Sequence, residues 1–331
     1  MSTYVMVHGA WHGAWCWYKV VPLLQRAGHI VVAPDLPSLG RDRTPLCQVS
    51  LGTWVDHICH FVDTASEPVV LVGHSRAGII ISEVAERRPE KIAVLMYLAA
   101  YLLKDGESLL PVAQRDGTSL VLPNLVLSED QTSSTIKPEA IREVFYGDCS
   151  DEDVTLAGML LAPEALAPAV TPIHVTEEGF GRVPRVYIEC LQDKVIPVPL
   201  QRQMYAKLPC RKVVSLNTDH SPFFSAPQKL TESLTSLAVV GAVSQVDRQP
   251  PSDSLRLPHP RSGPTCTRLC APSRSLGSFV RTIPSCVPEP HNRLEPVGVR
   301  RRRRLGEWRE FAKWRPVAVD SLSFVAFESI T

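Results

Sequence analysis

A serine at the centre of a short turn could act as a nucleophile. Residues 69–72 are apolar and strand-like, and a helical pattern begins directly after the turn that holds Ser75. A serine on a sharp strand-to-helix turn is the arrangement of a nucleophile elbow, which requires small residues two positions before and two positions after. Gly73 and Ala77 meet that requirement, with alanine where glycine is more usual. The pattern predicts that Ser75 is a nucleophile; an ordinary turn with an incidental serine is the alternative.

A serine hydroxyl becomes a good nucleophile when a histidine takes its proton and a carboxylate orients that histidine. With a nucleophile elbow, the chain order is serine, acid, histidine. Asp193 follows the strand-like residues 185–190, and His220 follows the strand-like residues 212–216. Because parallel strands present their carboxyl ends at one sheet edge, we expect Ser75, Asp193 and His220 to form a catalytic triad there. The rival histidines break this order, because they precede the acid or lie in the interruption before it: His8, His12, His74 and His174. Asp219 would have to fold back onto the adjacent His220, and Asp35 is better suited to fixing a turn.

A glycine-containing loop, residues 8–15, follows the first strand-like run. Acyl transfer needs backbone N–H groups aimed at the oxyanion of the tetrahedral intermediate. We predict that the N–H groups of Ala10 and Arg76 form this oxyanion hole. A plain tight turn is the alternative, and the spacing of Gly9 and Gly13 does not match a dinucleotide-binding fingerprint. The Arg76 side chain could meet an acidic group of a substrate or lie on the helix surface.

Short β-branched runs alternate with amphipathic helical stretches, which is typical of an α/β fold with a mostly parallel sheet and helices on both faces. The predicted strands are residues 4–7, 29–33, 69–72, 93–98, 185–190 and 212–216. The predicted helices are residues 15–27, 51–65, 77–88, 199–208 and 227–237.

A stretch rich in proline interrupts this alternation between residues 103 and 183. We predict mixed helix and loop here, and an insertion at the carboxyl edge of a sheet is well placed to cover a pocket. Aromatic side chains near the triad loops predict an apolar pocket, although each could equally belong to the core. The predicted pocket residues are Trp11, Tyr101, Met159 and Phe223, with Trp15 and Phe224 in the same cluster.

The carboxyl-terminal quarter of the chain differs in composition from the rest. Residues 245–331 carry 15 Arg or Lys against 8 Asp or Glu, whereas residues 1–244 carry 20 against 26. We therefore predict an α/β domain at residues 1–243 and a disordered tail, rich in proline, arginine and serine, at residues 244–331. A nucleic-acid-binding or targeting role for the arginine run 300–304 and an extension without function are the alternatives. The mildly acidic body offers no basic face for nucleic acid.

The remaining bulk features indicate a reduced, soluble environment. The six cysteines of the body show no zinc-site or redox spacing, so we expect free, mostly buried thiols. The amino terminus lacks the layout of a signal peptide, and no apolar run approaches the roughly 20 residues of a membrane span. We expect a cytoplasmic protein whose partner is a small molecule, without metal, cofactor, nucleic acid or membrane, and leave a homodimer open.

With these residues placed, the chain resembles the small-cap α/β-hydrolases that include plant methyl esterases, hydroxynitrile lyases and bacterial pyrethroid-type carboxylesterases. The resemblance covers roughly residues 3–240 and rests on residues 8–15, 73–76, 187–189, Asp193, 195–197, 201–204 and 219–222. It implies the α/β-hydrolase fold, with residues 103–183 as a small cap inserted after the sixth-strand position.

Two positions separate the hydrolases from the lyases of this group. In the lyases a threonine commonly follows the first His-Gly-like turn, and a lysine follows the catalytic histidine. This chain has Ala10 and Ser221 there, so the resemblance implies a serine carboxylesterase for small hydrophobic or aromatic esters, pyrethroid-like ones included. A lactone or carbon–carbon bond hydrolase with the same triad, and a non-catalytic receptor of the same fold, are the alternatives.

Overall fold

The computed structural model describes the backbone of residues 1–246 and the side chains of residues 1–239. These residues lie within one compact unit, residues 1–258. From residue 247 onward, the predicted disordered tail lies outside the described residues, and so does the second unit, residues 259–331.

In the described part of the chain, nine strands form two sheets. They are β1 Thr3–Val7, β2 Ile30–Val32, β3 Val69–His74, β4 Ile92–Leu98, β5 Leu125–Leu127, β6 Ser133–Ile136, β7 Glu164–Ala165, β8 Arg185–Cys190 and β9 Lys212–Leu216. The larger sheet has the order β2-β1-β3-β4-β8-β9, and all its neighbouring strands run parallel. Every residue of β3 is buried, as expected for a central strand covered on both faces. The predicted α/β architecture is confirmed, and β8 and β9 have their predicted bounds.

Ten α-helices accompany the sheets within residues 1–246. They are α1 Val20–Arg26, α2 Leu51–Thr64, α3 Ala77–Arg87, α4 Leu109–Ala113, α5 Ile141–Phe145, α6 Asp151–Leu160, α7 Ala167–Val170, α8 Val198–Lys207, α9 Pro222–Ser225 and α10 Pro227–Val246. Helix α2 packs against α3, and α1 packs against α10. A capping box of Ser50 and Thr53 begins α2, because each side chain accepts a hydrogen bond from the other residue's backbone N–H. Helix α10 continues three residues past the predicted domain boundary at residue 243.

The first predicted helix, residues 15–27, is interrupted. A 3-10 turn covers Ala14–Trp17, and α1 begins only at Val20. The cause is Pro22, which has no backbone N–H and whose ring would clash with the carbonyl four residues earlier. Proline is tolerated in the first turn of a helix but kinks or breaks its interior, which disfavours one continuous helix from residue 15 to residue 27.

The insertion leaves the sheet after β4 and returns at β8. It contains α4 to α7 and a small antiparallel sheet with the order β5-β6-β7. Sequence patterns predicted helix and loop here and missed this sheet, because strands of two to four residues are too short to show alternation. The insertion therefore stands at the carboxyl edge of β4, where the triad loops were predicted.

Two further features of the described chain bear on its environment. Residues 1–246 contain no helix that is both long enough and apolar enough to cross a membrane. The six cysteines of this part are free, and four of them are buried: Cys16, Cys59, Cys149 and Cys190.

Candidate active site

Ser75 lies on a strained turn between β3 and α3. Its backbone φ is 57°, in the left-handed region that side chains other than glycine rarely adopt. Such a conformation costs about 1–3 kcal/mol and persists only where neighbours hold it. Here the Ser75 N–H donates to the carbonyl of Leu98, and the Ser75 carbonyl accepts from the N–H of Tyr101, both at 3.1 Å. The turn therefore presents the serine side chain at the carboxyl edge of the sheet.

Small residues around the turn permit close packing. A Cβ at Gly73 would lie 2.9 Å from Ile81 and 3.0 Å from the Ala77 carbonyl. A Cβ at Gly78 would lie 2.1 Å from the carbonyl oxygen of Tyr101. The close approach thus demands glycine at position 78, one residue after the position where an elbow usually has it, and Ala77 is accommodated.

His220 and Asp193 form a buried pair. The distance from His220 Nδ1 to Asp193 Oδ2 is 2.8 Å, and both side chains are almost completely buried. Asp193 Oδ1 also accepts the N–H groups of Val195 and Ile196, at 2.7 and 3.0 Å. Gln201 Nε2 donates to Asp193 Oδ2 at 3.2 Å. The carboxylate is therefore held by four donors, and the His220 Nδ1–H that it accepts leaves Nε2 as the free base of the ring.

The Ser75 hydroxyl has no hydrogen-bond partner among the described residues, His220 included. Hydrogen bonds between catalytic groups are often long without substrate and tighten in the complex. Likewise, no hydrogen bond within residues 1–239 has the Ala10 or Arg76 backbone N–H as its donor. These groups are free to meet a ligand.

Three other buried histidines surround the site. His8 lies between the Gly9 carbonyl and the Leu36 N–H, at 2.9 and 3.1 Å. His12 lies between the Ala10 carbonyl and the Tyr146 hydroxyl, both at 2.6 Å. Each ring therefore donates through Nδ1 and accepts at Nε2, which only the neutral form can do.

His74 supports the backbone of His220. Its Nε2 donates to the His220 carbonyl at 2.9 Å, and the two ring centroids are 4.5 Å apart. Burial lowers the pKa of His8 to about 3, that of His12 to about 4 and that of His74 well below its usual value. The three rival histidines His8, His12 and His74 are thus neutral, hydrogen-bonded groups buried beside the site.

An apolar cavity opens beside the elbow. It holds about 670 Å³ of empty space, its opening to solvent included. Ser75, Ala10 and Arg76 line it at one end. Most of the remaining lining comes from the insertion, with leucine and alanine side chains predominating: Leu109, Leu110, Ala113, Leu125, Ala165 and Ala169.

The predicted pocket residues divide into two groups. Trp11 and Tyr101 line the cavity. Met159 is 78% exposed on α6 and does not line it, because its side chain points away from the insertion's packed face. Phe223 is completely buried against Trp17 and His74, with ring centroids 5.3 and 5.1 Å apart, and belongs to the core. The predictions for Met159 and Phe223 are thereby corrected.

The two outer aromatic residues of the predicted cluster also lie outside the cavity lining. Trp15 stacks on His12, with a centroid distance of 5.2 Å, and Phe224 is buried against Tyr18 and Tyr146. Trp15 therefore packs directly against His12, and Phe224 packs against Tyr146, which contacts His12.

Sequence reasoning missed two residues that touch the site, Gln201 and Glu164. Gln201 is fully buried and orients Asp193, and Glu164 pairs with the Arg76 guanidinium, with 3.0 Å between Oε1 and Nε. A single acid in the apolar stretch of residues 160–166 was the available signal for Glu164. Arg76 is buried by this pairing and does not lie on the helix surface. No group of three or more His, Cys, Asp or Glu in the described part of the chain is arranged to hold a metal ion.

Known proteins share this architecture. Methyl jasmonate esterase 1 of Vitis vinifera is 35% identical over 249 residues, which cover 71% of this chain and 95% of that protein. Putative methylesterase 15, chloroplastic, of Arabidopsis thaliana is 34% identical over 249 residues, and the chain spans only 56% of that longer protein and 71% of its own length. The solved structure of a pyrethroid hydrolase from Sphingobium faniae JZ-2 has a TM-score of 0.67 at 31% identity, covering 73% of this chain and 99% of that one.

The family assignment follows from the fold, the elbow and these similarities. A family model described as the alpha/beta hydrolase family matches residues 4–233, which is more than two thirds of the chain. The matched region contains the elbow, the insertion and the loops of Asp193 and His220. The chain belongs to the alpha/beta hydrolase family.

Proposed function

We propose that the protein is a serine carboxylesterase that hydrolyses small, hydrophobic or aromatic carboxylic esters. The observation that carries the proposal is the buried hydrogen bond between His220 and Asp193, at the sheet edge where Ser75 lies on its left-handed turn. The relatives support the same chemistry, since a methyl jasmonate esterase and a pyrethroid hydrolase are both named for ester substrates.

In the proposed reaction, the Ser75 hydroxyl oxygen attacks the ester carbonyl carbon while His220 Nε2 takes the hydroxyl proton. Asp193 stabilises the resulting imidazolium. The tetrahedral intermediate then breaks its bond to the alcohol oxygen, which leaves with the proton from His220. Water attacks the acyl-enzyme by the same route, so that the acid is released and the Ser75 hydroxyl is restored.

The tetrahedral intermediate carries a negative oxygen that needs donors. Ala10 and Arg76 line the cavity together with Ser75, and we propose that their free backbone N–H groups bind this oxygen. Fixed donors of this kind stabilise charge that develops in the transition state without having to reorganise.

The cavity favours uncharged, apolar substrates. Its lining is dominated by aliphatic side chains, and its two charged side chains, Arg76 and Glu164, pair with each other. A charged substrate group would lose its hydration without gaining a free counter-charge, which is unfavourable. Small aromatic or aliphatic esters fit this environment.

Filling the cavity is expected to narrow the substrate range. Ala169 lies on α7 and lines the cavity, so Ala169→Phe places a ring where the larger part of a substrate would lie. Steric overlap of this kind costs about 1–3 kcal/mol. We expect kcat/KM for methyl phenylacetate to fall about tenfold or more, whereas that for methyl acetate changes little, with acid release followed in a pH-stat.

Ala167→Phe is the matched control, because Ala167 is exposed on the same helix and does not line the cavity. It should leave the ratio of the two specificity constants unchanged. An equal effect of both substitutions, or a loss for methyl acetate as large as that for methyl phenylacetate, would show that the cavity does not receive the substrate.

A further inference from the structure

Arg76 directs its charge toward the backbone of the residue 8–15 loop. Its side chain is 3% exposed, and its guanidinium lies over the Trp54 ring at 4.0 Å from the ring centre. Nη2 donates to the Gly9 carbonyl at 2.9 Å. That carbonyl belongs to the same peptide group as the Ala10 N–H, the proposed oxyanion donor. A cation on the carbonyl oxygen polarises the whole peptide group and strengthens its N–H as a donor.

Glu164 holds the next peptide group. Its Oε1 pairs with Arg76, and its Oε2 accepts the Trp11 N–H at 2.9 Å. Trp11 has a φ of 60°, a left-handed conformation that must be held in place. The insertion supplies two more contacts to it: the Ala162 N–H donates to the Trp11 carbonyl, and Trp11 Nε1 donates to the Ser134 carbonyl, both at 3.0 Å.

The ion pair therefore forms hydrogen bonds to both peptide groups that flank the Cα of Ala10. Arg76 binds the one before it, and Glu164 binds the one after it. Both charges are buried: desolvation lowers the pKa of Arg76 and raises that of Glu164. A buried ion pair is by itself weak evidence for a role in stability, because desolvation offsets its attraction. The position of the ion pair around Ala10 indicates a role in positioning the Ala10 peptide rather than in stability.

We propose that Arg76 and Glu164 are positioning residues for the oxyanion hole, fixing and polarising the Ala10 peptide and coupling its geometry to the insertion. This inference rests on the proposed function, since it concerns the same reaction. It adds that the residue after the nucleophile acts through its side chain as well as its backbone.

The first test is Arg76→Met. We expect kcat to fall roughly 100- to 1000-fold, the range seen when an oxyanion donor is lost, with KM changed little. The affinity for a trifluoromethyl ketone, whose serine adduct carries the oxyanion, should fall in parallel, while that for the corresponding alcohol stays constant. Arg87→Met is the matched control on α3: Arg87 is 37% exposed, pairs with Asp56 on the surface and should leave kcat unchanged.

The double variant Arg76→Met/Glu164→Met separates positioning from folding. Replacing both charges with apolar side chains leaves no buried unpaired charge, and such replacements are often neutral or stabilising. The Gly9 carbonyl and the Trp11 N–H lose their side-chain partners, so we expect a folded protein whose Tm is somewhat lower than that of the wild type. The loss of kcat and of trifluoromethyl ketone affinity should be the same as in Arg76→Met. A folded double variant with kcat and ketone affinity within about threefold of wild type would overturn the inference.

Failure of the proposed function gives a different result. In that case the wild-type protein itself neither hydrolyses esters nor forms the ketone adduct, and the positioning role is rejected together with the proposed function. An active wild type whose variants lose only thermal stability would reject the positioning role alone.

Discussion

Ser75→Ala is expected to lower kcat for p-nitrophenyl acetate hydrolysis by about 10⁴-fold or more. Without the hydroxyl no acyl-enzyme forms, and what remains is water attack assisted by the oxyanion hole and binding. Steady-state release of p-nitrophenolate measures the effect. The fold should survive, because the Ser75 hydroxyl has no protein partner among the described residues and its removal leaves no group unpaired.

Ser233→Ala is the control for this experiment, since Ser233 is half-buried on α10, outside the predicted triad, and its hydroxyl bonds only to the Lys229 carbonyl in the same helix. It should retain wild-type kcat. If Ser75→Ala kept most of the activity while remaining folded, another group would have to be the nucleophile.

Mild acid is expected to destabilise the protein strongly through its buried histidines. His8, His12 and His74 have lowered pKa values because burial disfavours their charged forms. The unfolded chain takes up protons at these residues near pH 6.5 and the folded chain does not, so the free energy of unfolding decreases as pH falls below about 6.5. At about pH 5 the loss is about 2 kcal/mol per histidine, or about 6 kcal/mol for three.

Urea unfolding at a series of pH values measures this dependence. The histidine effect begins below the unfolded histidine pKa, about 6.5, whereas carboxylates such as Glu189 and Asp153, whose pKa values are lowered by their partners, add their effect only below about pH 4.5. Between about pH 6 and 5, His12→Asn should reduce the slope of the unfolding free energy against pH by the amount that corresponds to one proton taken up on unfolding. A free energy of unfolding that stays constant from about pH 7 to 5 would contradict the neutral, buried state of these rings.

Much of the fold was predictable because its signals are local. Each strand of the parallel sheet is a short apolar run, and each long helix repeats apolar residues at helical spacing, so burial on both faces is visible in the sequence. The small sheet of β5, β6 and β7 was missed because its strands are only two to four residues long, too short to show alternation. The break before α1 was visible in Pro22 but was outweighed by the periodicity around it.

The site residues that could be predicted from the sequence are those whose type is restricted by the chemistry they perform. Ser75, Asp193 and His220 each follow a strand, and the structure brings Asp193 and His220 into contact. Contacts that depend on how the insertion packs were not predictable. Glu164 meets Arg76 and Trp11 across more than 80 residues of chain, and Phe223 turns into the core where a pocket role was expected.

The most direct test of the account is covalent labelling of the wild-type protein with a fluorophosphonate, followed by mass spectrometry of its peptides. The reagent reacts with a serine only when a neighbouring base activates it. The account predicts one adduct, on Ser75, and its loss in His220→Ala. No adduct, or an adduct on another serine with Ser75 unmodified, would contradict it.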